Sequence, residues 1–104
     1  MAEWIDVGAE SACPKGEKMI VHTDAGKIAV FHLNSGFYAI EDVCSHDGGE
    51  LASGDCEGDE IICPRHGARF CIKNGKSLTP PAYEDIETFA VRNVQGMIQV
   101  EIEC

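Results

Sequence analysis

The chain has 104 residues and carries 18 acidic against 8 basic side chains, a formal net charge of −10 at neutral pH. This length fits one domain, and a hydrophobic content of 44% excludes a disordered chain. The negative charge repels phosphate backbones and anionic lipids, so we expect a basic protein surface as partner rather than a nucleic acid or a membrane. The longest apolar run, Ile28–Phe31, is far too short for a membrane span, and the first residues lack the pattern of a secretory signal. We therefore expect a cytoplasmic protein.

In chain order, short runs rich in Ile, Val and Phe predict strands, and helical periodicity is absent. The predicted strands cover 18–22, 27–33, 37–41, 60–63, 70–72, 87–93 and 98–102. In the last run Ile98, Val100 and Ile102 alternate with polar residues, as in a strand with one buried face. Residues that tolerate tight turns occur at 24–26, 34–36, 74–75 and 95–96. The sequence therefore predicts a meander of antiparallel hairpins in one all-β domain.

Two irregular stretches interrupt this pattern. Residues 42–59 are rich in glycine and charge and show no alternation, and a loop of this length in a compact domain usually has a function. Residues 77–85 contain Pro80-Pro81, which cannot join the interior of a sheet. The functional residues are therefore expected in and beside these two stretches.

Two mixed pairs of metal-ligand residues mark the first stretch and the strand after it. Cys44 and His46 are separated by one residue, Cys63 and His66 by two, and 16 residues lie between His46 and Cys63. Thiolate and imidazole suit zinc, or an iron–sulfur cluster in which two His replace two Cys on one iron. Structural zinc sites usually bring two Cys or two His on one loop. Mixed pairs let each loop send its Cys to one metal and its His to another, which favours a two-metal cluster; a zinc-stabilised interaction module is the alternative from a different class.

With Cys-Ser-His-Asp-Gly-Gly at 44–49 and Cys-Pro-Arg-His-Gly at 63–67, the chain resembles the Rieske family. Through 70–72, 74–76 and 80–82 it is similar to the ferredoxins that serve bacterial aromatic-ring dioxygenases. The resemblance covers the chain, 1–104, as a single Rieske domain and implies a small antiparallel sandwich, with a cluster-binding part at about 42–72 and a proline loop at about 77–85.

The same resemblance implies one 2Fe-2S cluster per chain. Cys44 and Cys63 would bind its inner iron, and His46 and His66 its outer iron. No catalytic residue is expected.

Departures from the high-potential Rieske proteins indicate which branch the chain resembles. Those quinol-oxidising members carry an additional disulfide where this chain has Gly49 and Arg65, and hydroxyl donors where it has Ala68 and Phe70. Since such hydrogen bonds raise the potential, we predict a value near the low end of the Rieske range, which runs from about −150 to +300 mV.

The resemblance implies an electron-transfer component and not an enzyme. We expect a monomeric one-electron carrier between a flavin-containing NAD(P)H-dependent reductase and a terminal oxygenase. Beyond the predicted ligands only His22 and His32 remain, and they lie in strand-like runs of a chain that we expect to be too short for the domain with the mononuclear iron site of the catalytic branch. The alternative within electron transfer is the small Rieske subunit of an assimilatory nitrite reductase. Without an export signal, the other four cysteines are expected to be thiols, and Cys56 lies in the long loop between the two motifs.

Overall fold

The structure is a computed structural model that describes residues 2–45, 48–80 and 82–103. Ten strands in these ranges form three antiparallel sheets, and one short 3-10 turn, Glu10–Ala12, follows the first strand. The strands are β1 Ala2–Ala9, β2 Lys18–Thr23, β3 Gly26–Leu33, β4 Gly36–Glu41, β5 Cys56–Glu57, β6 Glu60–Ile62, β7 Arg69–Cys71, β8 Thr88–Phe89, β9 Val91–Val94 and β10 Met97–Glu103. We call β1-β10-β9 the terminal sheet, β2-β3-β4-β8 the central sheet and β5-β6-β7 the small sheet.

The central sheet is buried on both faces. Ile28 and Val30 of β3 point to one side, where they pack with Ile98 and Val100 of the terminal sheet. The alternate residues of β3 point to the other side, into a second core that contains the small sheet and the loops around it. Because successive side chains of a strand face opposite ways, an uninterrupted apolar run is what a doubly covered strand requires. This explains the run Ile28–Phe31.

The all-β antiparallel prediction is confirmed, and the predicted turns are found where glycines take positive φ, as at Gly26 (+102°) and Gly96 (+88°). Within the described ranges, no helix is long and apolar enough to cross a membrane.

Three strand assignments differ from the sequence prediction. Strand β1 was not predicted, because only Ile5 and Val7 of its side chains pack into the core and the register shifts between Asp6 and Gly8. The short strand β5 lies inside the stretch predicted to be irregular. The single strand predicted at 87–93 is two strands: β8 pairs in the central sheet and β9 in the terminal sheet, so the chain changes sheets at Ala90.

Gly75 allows two segments to approach more closely than any side chain would permit. Its φ is +75°, and a Cβ there would lie 2.0 Å from the carbonyl oxygen of Ile86. The amide of Ile86 in turn donates to the carbonyl of Gly75 at 2.8 Å. This contact joins the end of the second irregular stretch to the loop after β7.

We predict that Gly75→Ala destabilises the protein more than Gly58→Ala. Both positions have positive φ, +75° and +62°, but nothing lies within 4 Å of a Cβ at Gly58. The left-handed backbone alone costs about 1 kcal/mol, equivalent to about 4–8 °C in Tm for a domain of this size. Gly75→Ala should lower the Tm by at least twice the decrease seen for Gly58→Ala, measured by circular dichroism. Equal decreases would show that the Ile86 contact does not constrain the fold.

Candidate metal centre

The two loops that contain the predicted ligands are built alike. In each, the amide of the cysteine donates to a carbonyl five residues later, and the carbonyl of the cysteine accepts from the amide of a glycine four residues later. Both glycines take positive φ, which closes the loop without steric cost. The bonds are Cys44 N to Gly49 O at 2.7 Å, Gly48 N to Cys44 O at 2.8 Å, Cys63 N to Ala68 O at 2.7 Å and Gly67 N to Cys63 O at 3.0 Å, with φ of +74° at Gly48 and +73° at Gly67.

A third loop has the same backbone pattern. Cys71 donates to Lys76 at 2.9 Å and accepts from Gly75 at 2.7 Å. All three loops share the spacing Cys-x3-Gly, which the sequence displays but which was not used in predicting the site. The third loop carries Asn74 where the second carries His66, so loop shape alone does not define a metal ligand.

Burial separates the thiols from the imidazole. Cys44 and Cys63 are 0% and 1% exposed, whereas His66 lies on the surface. His46, the fourth predicted ligand, lies outside the described residues. Within the described residues, no three Cys, His, Asp or Glu side chains are grouped tightly enough to hold a single metal ion. Thiols on the core side and an imidazole on the solvent side fit a two-iron cluster whose thiolate-bound iron is the inner one.

The surroundings of the thiols are apolar. Ala68 and Phe70 are fully buried, as are Leu51, Ile61 and Ile72 in the same core. Neither Ala68 nor Phe70 has a side-chain donor that could reach a sulfur atom.

We call residues 44–49 the first ligand loop and residues 63–68 the second. Asp42 binds backbone amides just after the first ligand loop. It is 2% exposed, and its Oδ1 accepts hydrogen bonds from the amides of Leu51 and Ala52, each at 2.7 Å. Its Oδ2 is buried without a hydrogen-bond partner and faces the Nζ of Lys27 at 3.7 Å. One carboxylate just before Cys44 thus joins the start of this segment to its end. The sequence analysis missed this role, because nothing in the local pattern tells which of the 18 acidic side chains is buried.

Lys27 of β3 connects this buried carboxylate to the surface. Its ammonium also donates to Glu50 at 2.8 Å. That hydrogen bond raises the pKa of Lys27 and, with the charge of Arg65 as a smaller contribution, lowers the pKa of Glu50. Both carry their charges at neutral pH, so the first ligand loop is tied to the central sheet by Lys27.

The proline loop lies beside the first ligand loop. The hydroxyl of Ser45 donates to the carbonyl of Glu84 at 2.6 Å, and Ala82 is buried in the same core as Cys44 and Cys63. Pro81 falls outside the described residues. Tyr83 lies at the surface of this loop and is 82% exposed to solvent.

Two of the basic residues after the second motif are paired within or beside the small sheet. Arg69 bonds Glu57 at 3.3 Å and Glu60 at 3.2 Å, and Lys73 lies 3.3 Å from Asp59. These partly exposed pairs neutralise charge locally and stabilise little.

The other described cysteines lie outside the two predicted ligand pairs. Cys13, Cys56 and Cys71 are free thiols, and Cys104 lies outside the described residues. Cys56 is exposed, but atoms packed around its sulfur raise its pKa, which keeps it protonated at neutral pH. A protonated thiol is a poor nucleophile, which favours an incidental role.

Comparison with known proteins identifies the family of the chain. The sequence model of the Rieske [2Fe-2S] domain matches residues 3–90. The ferredoxin component of the naphthalene 1,2-dioxygenase/salicylate 5-hydroxylase systems of Ralstonia sp. is 33% identical over 100 residues, covering 94% of this chain and 96% of the relative.

Solved structures share the fold. A chain in the complex of reduced oxygenase and oxidized ferredoxin in carbazole 1,9a-dioxygenase is 32% identical, with a TM-score of 0.87, covering 93% of this chain and 91% of that one. A putative NADH-dependent nitrite reductase small subunit from Mycobacterium tuberculosis has a TM-score of 0.83 over 100% of this chain and 98% of that one, but at 22% identity it shows the fold alone.

The chain is therefore an iron–sulfur protein of the all-β electron-transfer type. It belongs to the Rieske [2Fe-2S] family, and its cofactor is a 2Fe-2S cluster. Like the ferredoxin components it matches, it is an electron-transfer protein and not an enzyme.

We predict that Asp42→Ala lowers the free energy of unfolding by about 2–5 kcal/mol, because it leaves two buried amides without an acceptor and opens a cavity. Asp42→Asn keeps Oδ1 as acceptor and should cost less than half as much. Urea unfolding of the cluster-containing proteins measures both. If the two variants lose equal stability, the charge facing Lys27, and not the pair of amide bonds, is what matters.

Proposed function

We propose that this chain is a low-potential one-electron carrier that receives electrons from a flavin-containing NAD(P)H-dependent reductase and delivers them to a terminal oxygenase. The observation that carries the proposal is the match over 94% of the chain to a ferredoxin component of dioxygenase systems. The similar chain in the complex of reduced oxygenase and oxidized ferredoxin in carbazole 1,9a-dioxygenase supports the second half of the route.

The proposed ligands are Cys44 and Cys63 for the inner iron and His46 and His66 for the outer iron. The burial of both thiols and the exposure of His66 support this assignment. Electrons would enter and leave on the histidine side, where the distance to a docked protein is shortest.

The low potential follows from charge and surroundings. Two ferric ions, two sulfides and two thiolates sum to zero, so one added electron makes the cluster negative. Buried Ala68 and Phe70 offer no hydrogen bond to offset that charge. We therefore propose a potential near the lower limit of the Rieske range, about −150 mV.

The surface beside the first ligand loop fits a basic protein partner. Tyr83 is highly exposed and is followed by three exposed acidic residues, Glu84, Asp85 and Glu87. A partly apolar, partly polar ring is a common interface anchor, and surrounding carboxylates guide a positively charged partner to it. We propose that the terminal oxygenase binds here.

We further propose that the carrier is a monomer in the cytoplasm, where NAD(P)H-dependent reductases obtain their reductant; the exposed free thiol of Cys56 fits a reducing compartment. Residues 1–104 would act as one Rieske domain, with the cluster-binding part at about 42–72 and the proline loop at about 77–85.

The cluster and its ligands can be tested by low-temperature EPR of the dithionite-reduced protein with iron analysis. We expect a rhombic signal and about two irons per chain. His66→Cys should either abolish the cluster or, by adding a thiolate charge, lower the potential by about 100 mV or more. His22→Cys, at an exposed position of β2, is the control and should keep the spectrum. A wild-type spectrum and potential in His66→Cys would remove His66 from the ligands, and a colourless wild-type protein with one zinc would refute the carrier function.

The route can be tested with NADH and the purified reductase and terminal oxygenase of the Ralstonia naphthalene system as probes. We expect NADH-dependent reduction of the cluster and its reoxidation by the oxygenase. Tyr83→Ala should weaken oxygenase binding by about tenfold or more, whereas Val94→Ala, an exposed apolar control on β9, should leave it unchanged. Equal binding by both variants would contradict docking at Tyr83. Stable co-purification with a large sirohaem-containing subunit from the native source would instead favour the nitrite reductase alternative.

A further inference from the structure

The guanidinium of Arg65 extends from the second ligand loop to the first. It lies against Gly49, in the space that a side chain at position 49 would occupy. A Cβ at position 49 would lie 2.5 Å from Cζ, 2.6 Å from Nη2 and 2.8 Å from Nε of Arg65, well below the 3.0 Å that real Cβ atoms keep. The backbone of Gly49 does not have positive φ, so a side chain at position 49 would displace the guanidinium without straining the backbone.

A charged network supports Arg65 at this place. The positive charge of Arg65 is among the causes that lower the pKa of Glu50, the residue after Gly49. Glu50 is bound by Lys27 of the central sheet, and Lys27 also faces the buried Asp42. The guanidinium therefore rests on a loop that is itself fixed to the core.

The nearby cation Arg69 does not join the two ligand loops. Arg69 pairs with Glu57 and Glu60, so both of its carboxylate partners belong to the small sheet. Arg65, in contrast, joins two loops that are separate in sequence and that each carry predicted ligands.

We propose that Arg65 is a positioning residue that clasps the two ligand loops together and keeps the cluster enclosed between them. The proposal rests on the proposed ligand set. The planar guanidinium covers Gly49 while its charge faces Glu50, so the two loops are held without a covalent bond. The same placement puts a positive charge on the rim of the cluster site, where it favours the reduced, more negative state.

The test is a double-mutant cycle on the cluster-containing protein, with Gly49→Ala, Arg65→Ala and the double variant. Cluster loss is followed as bleaching of the visible absorption in excess chelator. Each single variant should lose its cluster about fivefold to thirtyfold faster, the range expected for one or two lost contacts. The double variant should be no faster than Arg65→Ala, because the added methyl group then has nothing to displace. The clasp is overturned if the effects of the two substitutions on the rate of cluster loss multiply in the double variant. It is also overturned if both single variants lose the cluster at the wild-type rate.

The reduction potential provides a readout that general destabilisation would not move. Arg65→Gln should shift the midpoint to more negative values by more than Arg69→Gln, its control at a cation bound to the small sheet. Arg65→Lys should keep the wild-type potential but not the slow cluster loss, since an ammonium keeps the charge without the planar group. Equal potentials in Arg65→Gln and wild type would remove the electrostatic part of the proposal.

Two further comparisons keep the outcome decisive. If Gly49→Ala does not assemble a cluster, Glu50→Gln replaces it and should accelerate cluster loss in the wild-type background but not in Arg65→Ala; acceleration in both would overturn the clasp. If the wild-type protein holds its 2Fe-2S cluster and the variants lose theirs at the wild-type rate, the clasp alone is refuted. A wild-type protein without a cluster refutes the proposed function.

Discussion

The burial of the central sheet on both faces is the constraint on which the rest of the structure depends. One face needs the terminal sheet, which packs Ile98 and Val100 against β3. The other face needs an apolar layer as well, and the ligand loops with the small sheet supply it. The cluster site is therefore not an appendage. The buried thiols of Cys44 and Cys63, its proposed ligands, are part of the core that completes the fold, so with this ligand set cofactor binding and folding stability would share the same residues.

Polar contacts then decide how this layer is oriented. The buried carboxylate of Asp42 links the two ends of the first ligand loop by accepting hydrogen bonds from backbone amides. Lys27 contacts both this carboxylate and Glu50 at the surface. Each of these contacts begins in the central sheet or just after it and ends in a loop. Apolar packing fixes which face the loops cover, whereas these directional bonds fix where along that face the first ligand loop lies.

The parts that sequence could predict are those governed by local rules. Alternation in β10 and glycines at the hairpin turns follow from backbone geometry, and the mixed Cys and His pairs follow from metal preference. The change of sheets at Ala90 could not be predicted, since it depends on which sheet each half of the segment can reach. The contact between Gly49 and Arg65 likewise depends on two loops meeting in space. The candidate ligands could be proposed from their spacing, but the residues that hold their loops in place could not.

The third loop, Cys71–Lys76, has a consequence for how the metal ligands can vary. It has the same two backbone hydrogen bonds as the two ligand loops, although it carries Asn74 where the second ligand loop carries His66. Amide and carbonyl groups with one glycine are thus sufficient to shape such a loop without a second metal ligand. A substitution at the imidazole position can therefore leave the loop backbone in place, so that a change of metal ligand does not require a change of fold.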